Sequence, residues 1–126
     1  MTTQEDVAGF LAQEKIAVVG ASRNRAKYGN IVYRNLKELG YHVFAVNPIA
    51  KMIEDDPCYR DLRSIPHPVD AVIFIVPPIR TEAVVKEALE LGIRYFWMQP
   101  GAESDEAVRL CEDRGAHVIH GLCILR

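Results

Sequence analysis

KIAVVGASRNRAKYGNIVYRNLKELG, residues 15–40, decides the fold class. It opens on Lys15–Val19, an almost unbroken apolar run of the kind a strand buried on both faces requires. It closes on a segment from about Gly29 to Leu39. There Ile31, Val32, Asn35, Leu36 and Leu39 recur at helical spacing. Gly40 supplies the left-handed residue that ends such a helix. Strand, glycine-bearing loop and amphipathic helix form the first half of a βαβ unit.

The same alternation continues outward. Before the stretch, Thr3 with Asp6 at the capping-box position predicts a helix over Gln4–Ala12. After it, His42–Val46 reads as a second strand, halted by Asn47-Pro48, because proline cannot donate to a ladder. Residues 49–68 read as irregular, with one helical turn at Tyr59–Leu62. Ala71–Val76 is the third predicted strand, stopped by Pro77-Pro78. Thr81 reads as the cap of a helix over Glu82–Leu91, closed by Gly92. Tyr95–Met98, a helix over Asp105–Arg114 capped by Ser104, and His117–Ile119 complete the pattern. The expectation is a doubly wound, Rossmann-like α/β domain with helices on both faces. Its parallel sheet has five strands in the order 3-2-1-4-5.

A chain of 126 residues fits one domain over residues 1–126, long enough to bury a core without staples. The 15 basic and 17 acidic residues nearly cancel, which argues against a nucleic-acid or membrane-surface binder. No apolar run reaches the ~18 residues of a membrane span, and the N-terminus lacks the basic and apolar regions of a signal peptide. Cys58, Cys111 and Cys123 form no C-x-x-C, so a reduced, cytoplasmic compartment fits.

In a doubly wound sheet, ligands bind beyond the carboxyl ends of the strands, where the winding changes direction. The loop Gly20–Tyr28 falls there. From Lys15 to Lys37 there are six basic residues and no acid. Arg23, Arg25 and Lys27 crowd the loop, Ser22 adds a hydroxyl, and the next helix aims its positive end at the same place. These features suit a phosphate. The loop is neither G-x-G-x-x-G nor a P-loop. A nicotinamide enzyme would place an acid after the second strand to accept from a ribose hydroxyl. Here the strand runs into Asn47-Pro48, and Lys51 follows before the first acid, Glu54. A cation there suits a phosphorylated ribose, as in coenzyme A or NADP.

The chain resembles the small coenzyme A-binding proteins whose single domain is similar to the N-terminal domain of the succinyl-coenzyme A synthetase alpha subunit. The matching pieces are I-A-V-V-G-A-S with Lys27 and Gly29, G-Y-H-V-F-A-V-N-P, I-P-H-P-V-D-A-V, V-P-P, E-A-L-E-L-G-I-R and W-M-Q-P-G-A. They run from about Lys15 to Cys123 in the family's order. The resemblance implies that Gly20, Ala21 and Ser22 contact the pyrophosphate, with Arg23, Arg25 or Lys27 adding charge. It implies that Asn47, Pro48 and Lys51 lie near the adenosine and its 3′-phosphate. By the same resemblance Val76, Pro77 and Pro78 flank the adenine, and Gln99, Pro100 and Gly101 shape the path of the pantetheine arm. The family's M-D-R-C-like ending departs here to Ile119-His120-Gly121-Leu122-Cys123, which keeps only the cysteine.

Other chemistry is poorly provided. His117 and His120, three apart on a strand, point to opposite faces and make a poor metal pair. His120 falls at the ligand edge but reads as structural. Ser22 lacks a nucleophile elbow. Glu54, Asp55 and Asp56 read as a solvated turn rather than a metal loop. Cys123 reads as a small buried hydrophobe, with a mixed disulfide to the coenzyme as the alternative. The expected function is therefore non-catalytic binding of coenzyme A or a short acyl derivative. An NADP(H)-binding enzyme or redox-sensing module is the alternative. The expected partner is that small molecule, with no nucleic acid and no membrane; a homodimer or another protein partner is left open.

Overall fold

β1 (Lys15–Val19) lies in the middle of the sheet and explains its own composition. Ile16 to Val19 are all buried. Ile16 and Val18 face one side, Ala17 and Val19 the other, and each pair meets a separate layer of apolar side chains. The structure, a computed structural model, describes residues 2–125.

The elements in chain order are α1 (Gln4–Leu11), β1, α2 (Tyr28–Glu38), β2 (His42–Val46), β3 (Met52–Ile53), β4 (Asp56–Tyr59) and β5 (Ala71–Phe74), followed by α3 (Pro78–Glu90), β6 (Tyr95–Met98), α4 (Asp105–Asp113) and β7 (His117–Ile119). Among the described residues the sheet has seven strands in the order β3-β4-β2-β1-β5-β6-β7. Every pair is parallel except β3 with β4.

This corrects the expected five strands and their order. The five predicted strands lie as 2-1-3-4-5, because the third, β5, pairs with β1 at Ile16↔Ala71 instead of lying outside β2. The place outside β2 is taken by the β3–β4 hairpin, built from a segment that reads as irregular. β4 pairs with β2 at Ala45↔Cys58 and Val46↔Tyr59, so Tyr59 begins no helical turn. The hairpin's turn residues, Glu54 and Asp55, have φ of 49° and 65°. A two-residue hairpin favours such positive values, but usually with Asn-Gly or Asp-Gly. An acidic pair carries no such signal, and Pro57 inside β4 speaks against a strand except at a sheet edge.

Tertiary contacts explain the hairpin. Asp56 Oδ2 accepts from Tyr33 Oη and Lys37 Nζ, both at 2.6 Å, and Glu54 accepts from Asn30, so these two acids are pinned to α2 rather than solvated, whereas Asp55 is exposed as read. Partial burial pushes the Asp56 carboxyl up. The hydrogen bonds from Lys37 and Tyr33 outweigh that and hold it below the ordinary value of 3.8. Burial and the same Asp56 contact push the Tyr33 phenol well above its usual 10. A depressed carboxyl stabilises the fold fully above its unfolded value. That contribution is lost as pH falls from 3.8 through the folded value, because the unfolded chain takes up the proton first. Urea midpoints measured down to about pH 2.5 are expected to fall less steeply below 3.8 in Asp56→Asn than in the parent.

α1 and α2 cover one face. Phe10 packs edge-on against Trp97 with centroids 5.3 Å apart, and Val32, Tyr33 and Leu36 seal the layer. The Thr3–Asp6 capping box forms as read. α3 and α4 cover the other face through Val85, Ala88, Leu89, Ala107 and Cys111. Pro77-Pro78 does not merely stop a strand. β5 ends at Phe74 and α3 begins on Pro78, whose missing N–H is harmless in a first helical turn. Thr81 is therefore no cap. It is fully buried inside α3 and donates to the Ala102 carbonyl at 2.8 Å. Ser104 caps α4, accepting from Ala107 N.

Candidate functional site

Each central strand pairs one residue beyond its end. Gly20 N donates to Val46 O, Ile75 N to Val19 O, Gln99 N to Phe74 O and Asn47 N to Tyr59 O. Gly20, Asn47, Ile75 and Gln99 thus form a row along the carboxyl edge. The winding changes direction between β1 and β5, so Gly20 and Ile75 straddle the switch point.

The β1–α2 loop crosses this row at very close range. Gly20 has φ of 100°, and a methyl placed on it would lie 2.1 Å from the Ile75 carbonyl oxygen. A methyl on Gly29 would lie 1.9 Å from the Gly20 carbonyl oxygen. Both glycines are demanded by chain against chain. The Gly20 amide is engaged with Val46 O, and Ala21 is fully buried with its carbonyl accepting from Asn47 Nδ2 at 2.9 Å. Ser22 is half-buried; its Oγ accepts from Asn24 N.

Donors for an anion therefore sit further along the loop. Tyr28 and Gly29 open α2, so their amides have no carbonyl one turn back. Ser22 can donate its own hydroxyl proton. Arg23 and Lys27 are exposed and, among the described residues, have no acidic partner. Arg25 differs. Its Nε lies 3.4 Å from Glu54 Oε2, and its carbonyl accepts from Arg34. The cluster without an acid in sequence acquires one from the hairpin. Buried Asn30 ties the parts together, donating to Ser22 O at 2.8 Å and Glu54 Oε2 at 3.0 Å while accepting from Arg34 Nε.

Two clefts open on this edge. One is lined by Gly20, Ser22, Ala26, Lys27, Tyr28, Gly29, Asn47 and Ile75. The other is lined by Tyr28, Ile75, Gln99, Pro100 and Cys123. Tyr28 and Ile75 border both, so the clefts form one crevice. Of the predicted site residues, Gly20, Ser22, Lys27, Asn47, Gln99 and Pro100 line it. Pro48, Lys51, Pro77 and Gly101 are exposed on the surrounding loops, Pro78 is exposed at the start of α3, and none of these lines either cleft. Val76 turns inward against the α3 layer. Asn47 braces the loops, because its Oδ1 holds Ile49 N and Ala50 N while its Nδ2 holds Ala21 O.

Sequence reasoning missed Tyr28 and Ile75. Tyr28 is 61% exposed at the helix start, the place where the charged neighbours drew attention away from it. Cys123 is half-buried at the crevice wall rather than in the core, and its Sγ accepts from Gln99 Nε2 at 3.3 Å. His120 lines neither cleft, and its backbone N–H is held by Thr2 Oγ1. Among the described residues, no cluster of His, Cys, Asp and Glu is arranged to hold a metal ion. No helix there is long and apolar enough to cross a membrane.

Comparison with known proteins gives one consistent result. Residues 14–126 match the family model of the CoA binding domain. The chain is 30% identical over 111 residues to the uncharacterized protein YneT of Bacillus subtilis, covering 88% of this chain and 82% of that one. It is 39% identical over 119 residues to the ADP-forming acetate–CoA ligase I of Archaeoglobus fulgidus, but spans only 17% of the ligase. A conserved hypothetical protein from Pyrococcus furiosus, 47% identical, superposes with a TM-score of 0.84 over 90% of this chain and 97% of its own.

Proposed function

The chain belongs to the CoA-binding domain family, and from that premise we propose that it binds coenzyme A or a short acyl-coenzyme A without catalysing a reaction on it. The observation that carries this reading is the crevice. Its first cleft offers Lys27, which has no acidic partner among the described residues, a serine hydroxyl and two open helix amides, with Arg23 exposed on the same loop, a donor set that suits a pyrophosphate. Its second cleft is mostly apolar and suits an uncharged group. A molecule with a polyanionic head and a long neutral tail matches both.

The non-catalytic part rests on the side chains at the crevice. Ser22 Oγ is engaged with Asn24 N and, among the described residues, has no histidine or carboxylate bonded to it to take its proton. His117 is held by Asp6 at the other end of its strand. The adenosine 3′-phosphate is assigned to Lys51, exposed on the loop after β2.

Thermal shift with coenzyme A, dephospho-coenzyme A and NADP(H) tests the reading. Coenzyme A at a hundred times its dissociation constant is expected to add about 2.7 kcal/mol. A shift with NADP(H) and none with coenzyme A would sink it. Lys51→Glu is expected to weaken coenzyme A about tenfold and dephospho-coenzyme A hardly at all, since only the former carries that phosphate. Equal losses would remove Lys51 from the site.

A further inference from the structure

The second cleft is closed by the end of the chain. Trp97 Nε1 donates to Leu122 O at 3.0 Å, and Gln99 Oε1 accepts from Ile124 N at 2.8 Å. Both anchors stand on the β6 edge, so residues 122–124 are fixed as a wall. Gln99 is only 4% exposed, and both ends of its amide are engaged. Its oxygen is engaged by Ile124 and its nitrogen by Cys123 Sγ. The rest of the lining is Tyr28, Ile75, Pro100 and Cys123. Among the described residues no charged side chain lines it. An ionised group would lose its hydration there and gain no partner.

We propose that this pocket receives the acyl end of an acyl-coenzyme A, a short unbranched aliphatic group, and that Cys123 and Tyr28 set the chain length admitted. The proposal rests on coenzyme A binding as read above and adds the ligand's class to it. Continuity is the argument for the occupant. Tyr28 and Ile75 border both clefts, so an arm that leaves the anionic cleft and runs along the β6 side can carry the group at its far end to the apolar one. Size sets the limit. An apolar cavity of about 150 Å3 holds a group the size of benzene. This one encloses about 140 Å3. It therefore accommodates an acyl chain of roughly two to five carbons.

The test measures dissociation constants of the unaltered protein for coenzyme A, its acetyl, butyryl and octanoyl thioesters, and 3′,5′-adenosine diphosphate, which has no pantetheine arm. Affinity is expected to rise from acetyl to butyryl, by up to about fourfold per methylene, and to fall again at octanoyl. Cys123→Phe, which fills the pocket, is expected to weaken butyryl-coenzyme A about tenfold or more and 3′,5′-adenosine diphosphate less than twofold. Affinity independent of chain length overturns the proposal. So does an equal loss of both ligands in Cys123→Phe, which would put the adenine in this pocket.

Alkylation of the unaltered protein removes any dependence on how the variant folds. Butyryl-coenzyme A is expected to slow iodoacetamide labelling of Cys123, read by peptide mass spectrometry, about tenfold, while 3′,5′-adenosine diphosphate leaves it unchanged. Equal labelling with and without the thioester overturns the proposal. Failure of the unaltered protein to bind any of these ligands ends the coenzyme A reading itself, a result distinct from binding that ignores the acyl chain.

Discussion

Gly20→Ala is expected to destabilise the protein by about 3–4 kcal/mol, read as a fall of roughly 10–15 °C in melting temperature. Two costs add. The residue has φ of 100°, where a side chain is strained, and its new methyl would lie 2.1 Å from the Ile75 carbonyl oxygen. That oxygen belongs to backbone at the switch point and has no rotamer by which to move away. Gly40→Ala supplies the comparison. Its φ of 98° carries the same strain, but nothing lies within 4 Å of the added carbon. It is expected to cost only about 1–2 kcal/mol. Similar losses for the two variants, measured by urea denaturation, would show that the β1–α2 loop packs less closely on β5 than described. Gly29→Ala extends the reasoning. Alanine favours a helix by about 1 kcal/mol over glycine. The methyl would meet the Gly20 carbonyl at 1.9 Å, and the collision is the larger effect.

Lys27→Glu is expected to weaken coenzyme A about a hundredfold, roughly 2.8 kcal/mol, because it removes a cation from the anion cleft and adds a repelling charge. Folding is expected to change by less than about 0.5 kcal/mol. The side chain is exposed, has no acidic partner among the described residues, and a carboxylate at a helix N-terminus is favourable. The loss of binding is thereby separated from loss of structure. Arg25→Ala, two positions away, is expected to cost only about threefold, since Glu54 already neutralises that guanidinium. Titration calorimetry at constant ionic strength measures both. Equal losses would mean that Arg25 leaves Glu54 when the ligand binds.

The contrast between Lys27 and Arg25 marks where sequence reading stops. Both are basic residues in one loop with no acid near them in the chain, and nothing local distinguishes them. The distinction is made by Glu54, 24 residues beyond Asn30, on a hairpin that reads as irregular. The hairpin was illegible because its turn uses Glu-Asp and its inner strand, β4, contains Pro57, both against local preference. Bonds from Tyr33 and Lys37 to Asp56 overcome that preference. The same hairpin takes the place beside β2, which leaves β5 to pair with β1.

The sequence by itself determined the class of fold and the sheet edge along which the crevice lies. Apolar runs and helical periods arise from burial repeated at short range, and each strand, loop and helix carries its own pattern. It also marked Gly20, Ser22, Lys27, Asn47 and Gln99, which line the crevice. Only the tertiary structure decided the strand order, which cations keep their charge free, that Gly20 is required by Ile75 rather than by a ligand, and that Tyr28, Ile75 and Cys123 meet in one pocket. Those outcomes depend on groups from 24 residues apart, as Asn30 and Glu54 are, to nearly opposite ends of the chain, as Tyr28 and Cys123 are, competing for the same space and the same hydrogen bonds. No local stretch of chain records which competitor wins.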